Sequence, residues 1–356
     1  MNGGLERKLL SSAGTLLLGF FAGAILIAST GNNPLAVYGV MFSGALGSIR
    51  GIADTLAFMA PMILTALAFL IPAQAGVWNV GAQGQMYFGG FMAGSIGLLV
   101  ALPPGLHQLT AFAAAGGIGA LWALLPAILR EFRRASEIVT TIMLNFVAQS
   151  MTSYLLYNTL SSVFGLFTAN GQTPFVMGSA KLPLVVSYAA ETGASVMIFI
   201  SVAIALLSSV FIGNSKWGFA IRAVGLNPKV AESHGMDPVR FRILAMVIGG
   251  ALAGIAGAGE IIGRFYQYRD QFPEGYFGGI GFAGIAVALV ARLNPVAIIP
   301  AALLFGLMAT GAPAVQATFG GIPRELVWTL QGIIILFQAI PYVFELAVKR
   351  SLRRTK

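Results

Sequence analysis

Ala53-Asp-Thr-Leu-Ala-Phe-Met-Ala-Pro-Met-Ile-Leu-Thr-Ala-Leu-Ala-Phe-Leu-Ile-Pro-Ala73 carries one charge in twenty-one residues. About 20 consecutive apolar residues of helical rise cross the hydrocarbon of a bilayer. A strand that crosses would need only about ten residues of alternating character, so this run reads as a membrane helix. Runs of the same kind recur along the chain. They place spans near 9–29, 53–73, 82–102, 108–129, 138–158, 192–213, 241–262, 278–292, 295–312 and 326–348. The fold class is an all-α integral membrane protein of about ten transmembrane helices.

Composition agrees. Of 356 residues, 57% are hydrophobic and 9% charged, too few charges to cover a water-facing surface. Backbone groups in lipid must be paired internally, which restricts the spanning elements to helices or a closed barrel. Arg7 and Lys8 precede the first apolar run in the manner of a signal peptide. That run is long for such a segment and lacks a convincing cleavage site, so it reads as an uncleaved first span. The eighth and ninth spans are short and tightly joined through Arg292, Asn294 and Pro295.

The net charge of +9 lies beside apolar segments rather than in a phosphate-binding cluster, so nucleic acid is not the expected partner. With the N-terminus inside, sixteen of the 21 cations fall in inner loops or at the termini. Arg50, Lys181, Arg264, Arg269 and Arg324 fall outside. Cytoplasmic loops are enriched in Lys and Arg, so this bias puts both termini in the cytoplasm of a multi-pass cell-membrane protein.

Several chemistries are excluded by what is missing. There is no GxxxxGK[ST] phosphate loop, so the chain does not bind ATP in that manner. His107 and His234 form no HExxH pattern, and there is no cysteine to ligate a metal. Asp54, near a span start, has no acidic partner at similar depth for intramembrane proteolysis. Every charged residue falls at or near a span end, whereas an ion-coupled carrier carries a buried ionisable group. Energy for active transport therefore has to come from another chain.

Small residues at helix-packing spacing recur at Gly19/Gly23, Gly90/Gly94, Gly250/Gly254 and Gly259/Gly263, and read as packing within one bundle. The connection from about Thr159 to Glu191 is too short for a separate domain. The whole of 1–356 reads as one transmembrane domain, with 214–240 as a cytoplasmic segment inside it.

Two polar stretches stand out. In the first, Asn227-Pro228 and Asp237-Pro238 are helix starts on either side of the glycine stop Gly235. They spell a two-turn helix from Pro228 to His234, a break, and a second helix running into the seventh span. Val230, Ala231 and His234 share one face, opposite Lys229 and Glu232. This is either a capped turn on the headgroups or a lever for a partner. In the second, Pro72, Gly76, Gly81 and Gly84 break the chain between spans two and three, which is tolerated at membrane depth only beside a cavity or under protein cover. Asn79, Gln83 and Gln85 then either bond the broken backbone or line a solute pathway, with Met86 and Phe88 as apolar contacts. Asn145 and Gln149, one turn apart on span five, bond across helices or face solute. Gly275 to Gly284 is a similar Gly-rich break and suggests a weak internal repeat.

The stretch from Arg222-Ala-Val-Gly-Leu-Asn-Pro to Ala253-Gly-Ile-Ala-Gly-Ala resembles the coupling loop of ABC importer permeases for branched-chain amino acids, simple sugars and nucleosides. Trp78-Asn-Val-Gly-Ala-Gln-Gly-Gln-Met86 and Gly281-Phe-Ala-Gly-Ile-Ala-Val-Ala-Leu-Val-Ala-Arg-Leu-Asn-Pro295 are similar to two further motifs of that family, in the same order. Gln83 departs from the family's usual Glu. The resemblance covers about 55–345 and is closest to the longer, nucleoside-type permease. It implies a type II-like importer half that binds no cofactor. The implied partners are an ABC ATPase using ATP and Mg, a second and paralogous permease chain, and an extracytoplasmic solute-binding lipoprotein. It also implies that Pro228, Lys229, Val230, Ala231, Glu232, His234 and Gly235 meet the ATPase. The competing reading is a stand-alone facilitator or ion-coupled secondary carrier.

Overall fold

The computed structural model describes residues 2–160, 171–189, 192–270, 277–320, 326, 329–334 and 336–337. Arg324, the predicted last span over most of 326–348 and the cations from Lys349 onward lie outside the described residues.

The chain is overwhelmingly helical. Helix α1 spans Asn2–Ser29, α2 Pro34–Leu46, α3 Ile49–Gln74, α4 Ala82–Leu99, α5 Leu106–Arg133 and α6 Glu137–Leu155. A two-stranded hairpin follows, β1 Leu184–Ala189 and β2 Thr192–Ser195. Then come α7 Met197–Asn214, α8 Lys216–Leu226, α9 Pro228–Ser233, α10 Pro238–Glu260, α11 Ile280–Val290 and α12 Ile298–Phe319. A π-helical turn, Ile261–Phe265, prolongs α10.

Among the described residues, α3, α5, α7, α10 with its π turn, and α12 are long and apolar enough to cross a membrane. They become six if α1 and α2, bent by 113°, count as one broken span. The hairpin corrects the all-helical expectation. Residues 192–195, expected inside the sixth span, pair antiparallel with β1, Ser187 opposite Gly193, and the helix begins only at Met197. Val185, Val186 and Tyr188 suit a pleated, half-buried surface. Helix α2 begins at Asn33-Pro34, the same start signal as Asn227-Pro228. The Asn33 side chain accepts the Leu35 N–H at 3.0 Å.

Two compact units are present, Met1–Thr55 with Leu304–Lys356, and Leu56–Leu303. In the first, the Tyr38 hydroxyl donates to the Phe20 carbonyl at 2.8 Å. A Cβ added at Gly311 would overlap the Met41 carbonyl, and one at Gly19 would strike the Ile334 backbone. Asp54 pairs with Arg50, Nε to carboxylate 3.7 Å.

The second unit is built on α4, α5 and α10, packed backbone to backbone. A Cβ on Gly250 would collide with the Gly119 carbonyl, one on Gly119 with that of Gly250, and one on Gly254 with that of Ala115. One on Gly89 would meet Gly254 and one on Gly257 the Met86 carbonyl. Lipid tails are as apolar as the side chains, so helix association here rests on such close van der Waals packing. Gly90 faces the Phe277 ring and Gly259 the Met197 side chain, in keeping with the packing role read from their spacing.

Candidate functional site

The break between α3 and α4 folds into an elbow. The Pro72 carbonyl accepts from the amides of Ala75 (2.9 Å) and Val77 (3.1 Å), and Gly76 takes φ +75°, a left-handed conformation natural to glycine. Asn79 and Gln85 hold the elbow by a reciprocal amide pair. Asn79 Nδ2 donates to Gln85 Oε1 and Gln85 Nε2 to Asn79 Oδ1, each at 3.0 Å. Asn79 also donates back to the Ala68 carbonyl at 3.1 Å and accepts the Gly81 N–H at 3.1 Å.

Asn145 reaches across from α6, accepting the Gly84 N–H at 2.8 Å and donating to the Val80 carbonyl at 3.0 Å. Gln83, only 2% exposed, accepts the Gly281 N–H of α11 through Oε1 at 2.7 Å. One N–H needs one carbonyl oxygen, so an amide serves at this position without burying a charge. Thr65 adds a second tie to the same helix start, donating to the Ile280 carbonyl at 3.3 Å. Met86 is fully buried, and Phe88 packs on Trp122 with centroids 4.4 Å apart. Gln149 is half-buried one turn beyond Asn145. The structure thus brings Asn79, Gln83, Gln85 and Asn145 together around one backbone break, where they satisfy groups that would otherwise go unpaired.

The second candidate region follows its sequence signals closely. Asn227 Oδ1 accepts the amides of Lys229 (3.2 Å) and Val230 (3.3 Å), and Asp237 Oδ1 those of Val239 (2.9 Å) and Arg240 (3.3 Å). Gly235 between them has φ +79°. Helix α9 ends at Ser233 with His234 as its cap. Ala231 corrects the expected outer face, because it is 2% exposed and packs into its own chain. Leu226 (88%) and Val230 (52%) stand out instead, with His234, Lys229 and Glu232 also exposed. Val230 and His234 lie one turn apart on α9, while Leu226 ends α8 on the other side of the extended Asn227.

The two regions touch. A Cβ on Gly225, at the end of α8, would overlap the Gln74 carbonyl, and one on Gly76 would come within 3.6 Å of Gly225. Nearby, Arg130 of α5 pairs with Glu137 of α6 at 3.3 Å, and Arg242 of α10 with Glu131 of α5 at 3.6 Å; Arg130 also meets Glu131. This clasp gathers one end of α5, α6 and α10 beside the α9 turn.

At the far end of α10 the sequence reading needs revision. Glu260, expected at a span end, is 2% exposed. The π turn carries Arg264 back onto it at 3.1 Å, and the guanidinium lies over the Phe58 ring at 4.1 Å. The pair is i,i+4, and its enclosure is supplied by α3 and the residues at and after the end of β2.

Comparison with known proteins fits this geometry. The family described as branched-chain amino acid transport system, permease component, matches residues 51–339. The nucleoside ABC transporter permease protein NupB of Lactococcus lactis is 32% identical over 97% of this chain and 94% of its own length. The guanosine ABC transporter permease protein NupP of Bacillus subtilis is 32% identical, over 92% of each chain. The glucose ABC transporter permease protein TsgB13 of Haloferax volcanii is 31% identical, over 91% of this chain and 85% of its own. A capped turn feeding a long membrane helix, an elbow built from the Trp78–Met86 motif and this near full-length similarity agree: the chain belongs to the branched-chain amino acid transport system permease component family and is an ABC transporter permease.

Proposed function

We propose that this permease is the membrane-spanning subunit of an importer for nucleosides or related simple sugars, driven by a separate ABC ATPase that uses ATP and Mg. The observation that carries it is the contact of Gly225 with Gln74. The doubly capped turn Pro228–Gly235 is rigid and leads directly into α10, and the same segment abuts the elbow. A push on Leu226, Val230 and His234 therefore reaches both α10 and the end of α3 without a flexible loop to absorb it. Residues 214–240 act as the coupling segment of one permease domain, 1–356.

In this reading α4, α6, α11 and 326–348 complete about ten spans, both termini are cytoplasmic, and 275–284 mirrors the elbow as a weak repeat. The pore is shared with a second, paralogous permease, as the NupB/NupC and NupP/NupQ pairs among the relatives suggest. A solute-binding lipoprotein delivers the solute. Asn79, Gln83, Gln85, Met86, Phe88, Asn145 and Gln149 shape the pathway wall. The uncharged elbow suits a neutral polar solute.

The stand-alone carrier keeps one supporting observation, the buried Glu260. Its pairing with Arg264 favours a fixed structural charge over a coupling site. Uptake of labelled guanosine, uridine and ribose by cells with and without the ATPase gene tests both readings. Import that disappears with the ATPase is expected. Import that survives its loss and collapses with a proton uncoupler would establish the carrier.

A further inference from the structure

An open cleft of about 500 Å³ lies where α7 ends and α10 begins, walled by the end of α7 and α8 on one side and by Gly235, Met236 and Phe241 on the other. Both helices are long and apolar enough to span, so their adjoining ends lie at the level of lipid headgroups. None of the cleft's lining residues is acidic. Lys216 is exposed, and its ammonium has no protein partner among the described residues. Arg222 donates from Nη2 to the Gly213 carbonyl at 3.1 Å, which fixes the guanidinium on the wall. Its Nε, shielded from solvent, has no acceptor.

Two cations without a counter-charge, one of them holding a spare buried donor, call for an anion with several oxygen acceptors. Asn214 and Ser215 add neutral polar groups, and Phe219, Met236 and Phe241 make up the apolar part of the walls. Trp217, half-exposed at the rim, has Phe241 edge-on at 6.0 Å and the Arg240 guanidinium 5.6 Å above its ring. Tryptophan beside cations is the composition of a membrane-interface belt. Neither Glu232 nor Asp237, the acids that follow in sequence, lines the cleft, and Asp237 already accepts two backbone amides.

We propose that this cleft binds the phosphate headgroup of an anionic phospholipid through Lys216 and Arg222, with Phe219 and Phe241 against the glycerol and upper acyl carbons. The cleft is bounded by α8 and by the turn between α9 and α10. An occupied cleft therefore ties the two sides of the coupling segment to the membrane surface, and lipid charge sets how firmly that segment is held.

The test is quenching of Trp217 fluorescence by brominated lipid in the assembled transporter reconstituted in nanodiscs, taken as the difference between parent and Trp217→Phe. Brominated phosphatidylglycerol should quench at least about twofold more than brominated phosphatidylcholine at equal mole fraction. Lys216→Gln with Arg222→Gln should bring the two lipids level. Lys216→Gln alone, which removes no protein contact, should reduce the preference if the double variant does not assemble. Excess inorganic phosphate should leave the preference intact. Equal quenching by both lipids in the parent overturns the proposal, as does loss of the preference on adding phosphate, which would make the cleft a soluble-anion site.

Discussion

Gly225, at the end of α8, lies against the carbonyl oxygen of Gln74, so closely that a methyl group would overlap it. This contact joins the end of α8 to the elbow. The obstacle is backbone rather than a flexible side chain, so Gly225→Val forces the two apart, at a cost of about 1–3 kcal/mol. ATP-driven uptake should fall well before assembly fails, while the ATPase activity of the complex persists uncoupled. Gly117→Ala, with nothing within 4 Å of the added carbon, should behave like the parent in uptake and thermal unfolding.

The outward face of α9 is tested at Val230. Because Val230 is exposed and Ala231 is not, Val230→Asp leaves the chain's own packing intact but places an unpaired charge in the docked interface. Uptake and co-purification of the ATPase should drop about tenfold or more. Ala231→Asp should instead destabilise the turn itself and lower the melting temperature. Normal transport by Val230→Asp would remove this face from the coupling role.

Asn145 supplies two hydrogen bonds across the start of α4, to the Gly84 N–H and the Val80 carbonyl. Asn145→Ala strands the Gly84 N–H and the Val80 carbonyl, each costing about 1–3 kcal/mol. The melting temperature in detergent should fall clearly, and further than in Gln149→Ala. A variant with unchanged stability but altered solute preference would mean that Asn145 serves the solute instead.

Glu260 and Arg264 should show strong coupling in a double-mutant cycle. Arg264→Leu leaves a buried carboxylate unpaired, a loss of about 3–5 kcal/mol. Glu260→Gln combined with Arg264→Leu should recover much of it. Additive effects would show that the 3.1 Å pair contributes nothing to folding.

Sidedness is open to labelling, because the chain has no cysteine. Ser233→Cys lies on the exposed end of α9 and should react with an impermeant maleimide only in inverted vesicles. Labelling from outside intact cells would reverse the orientation derived from the cation bias.

The sequence by itself determined the membrane class and most helix positions, because long apolar runs and cap signals are local. Asn227-Pro228, Gly235 and Asp237-Pro238 specify α9 and its neighbours through atoms within a few residues of each other, and the structure reproduces them. The same local grammar at Asn33-Pro34 starts α2, and the β-branched run Val185-Val186 forms β1. What only the tertiary structure decided is which groups face one another. Nothing within Trp78–Met86 indicates that Asn79 and Gln85 bond each other while Gln83 reaches α11, since the Gly281 amide is distant in sequence and is brought near by helix packing. Likewise Ala231 and Val230 are neighbours on one short helix, and only the packing of α8 and α10 against it decides which is buried. Glu260 is enclosed because the π turn folds Arg264 over it and Phe58 of α3 caps the guanidinium, a convergence of separate elements that no single stretch of chain encodes.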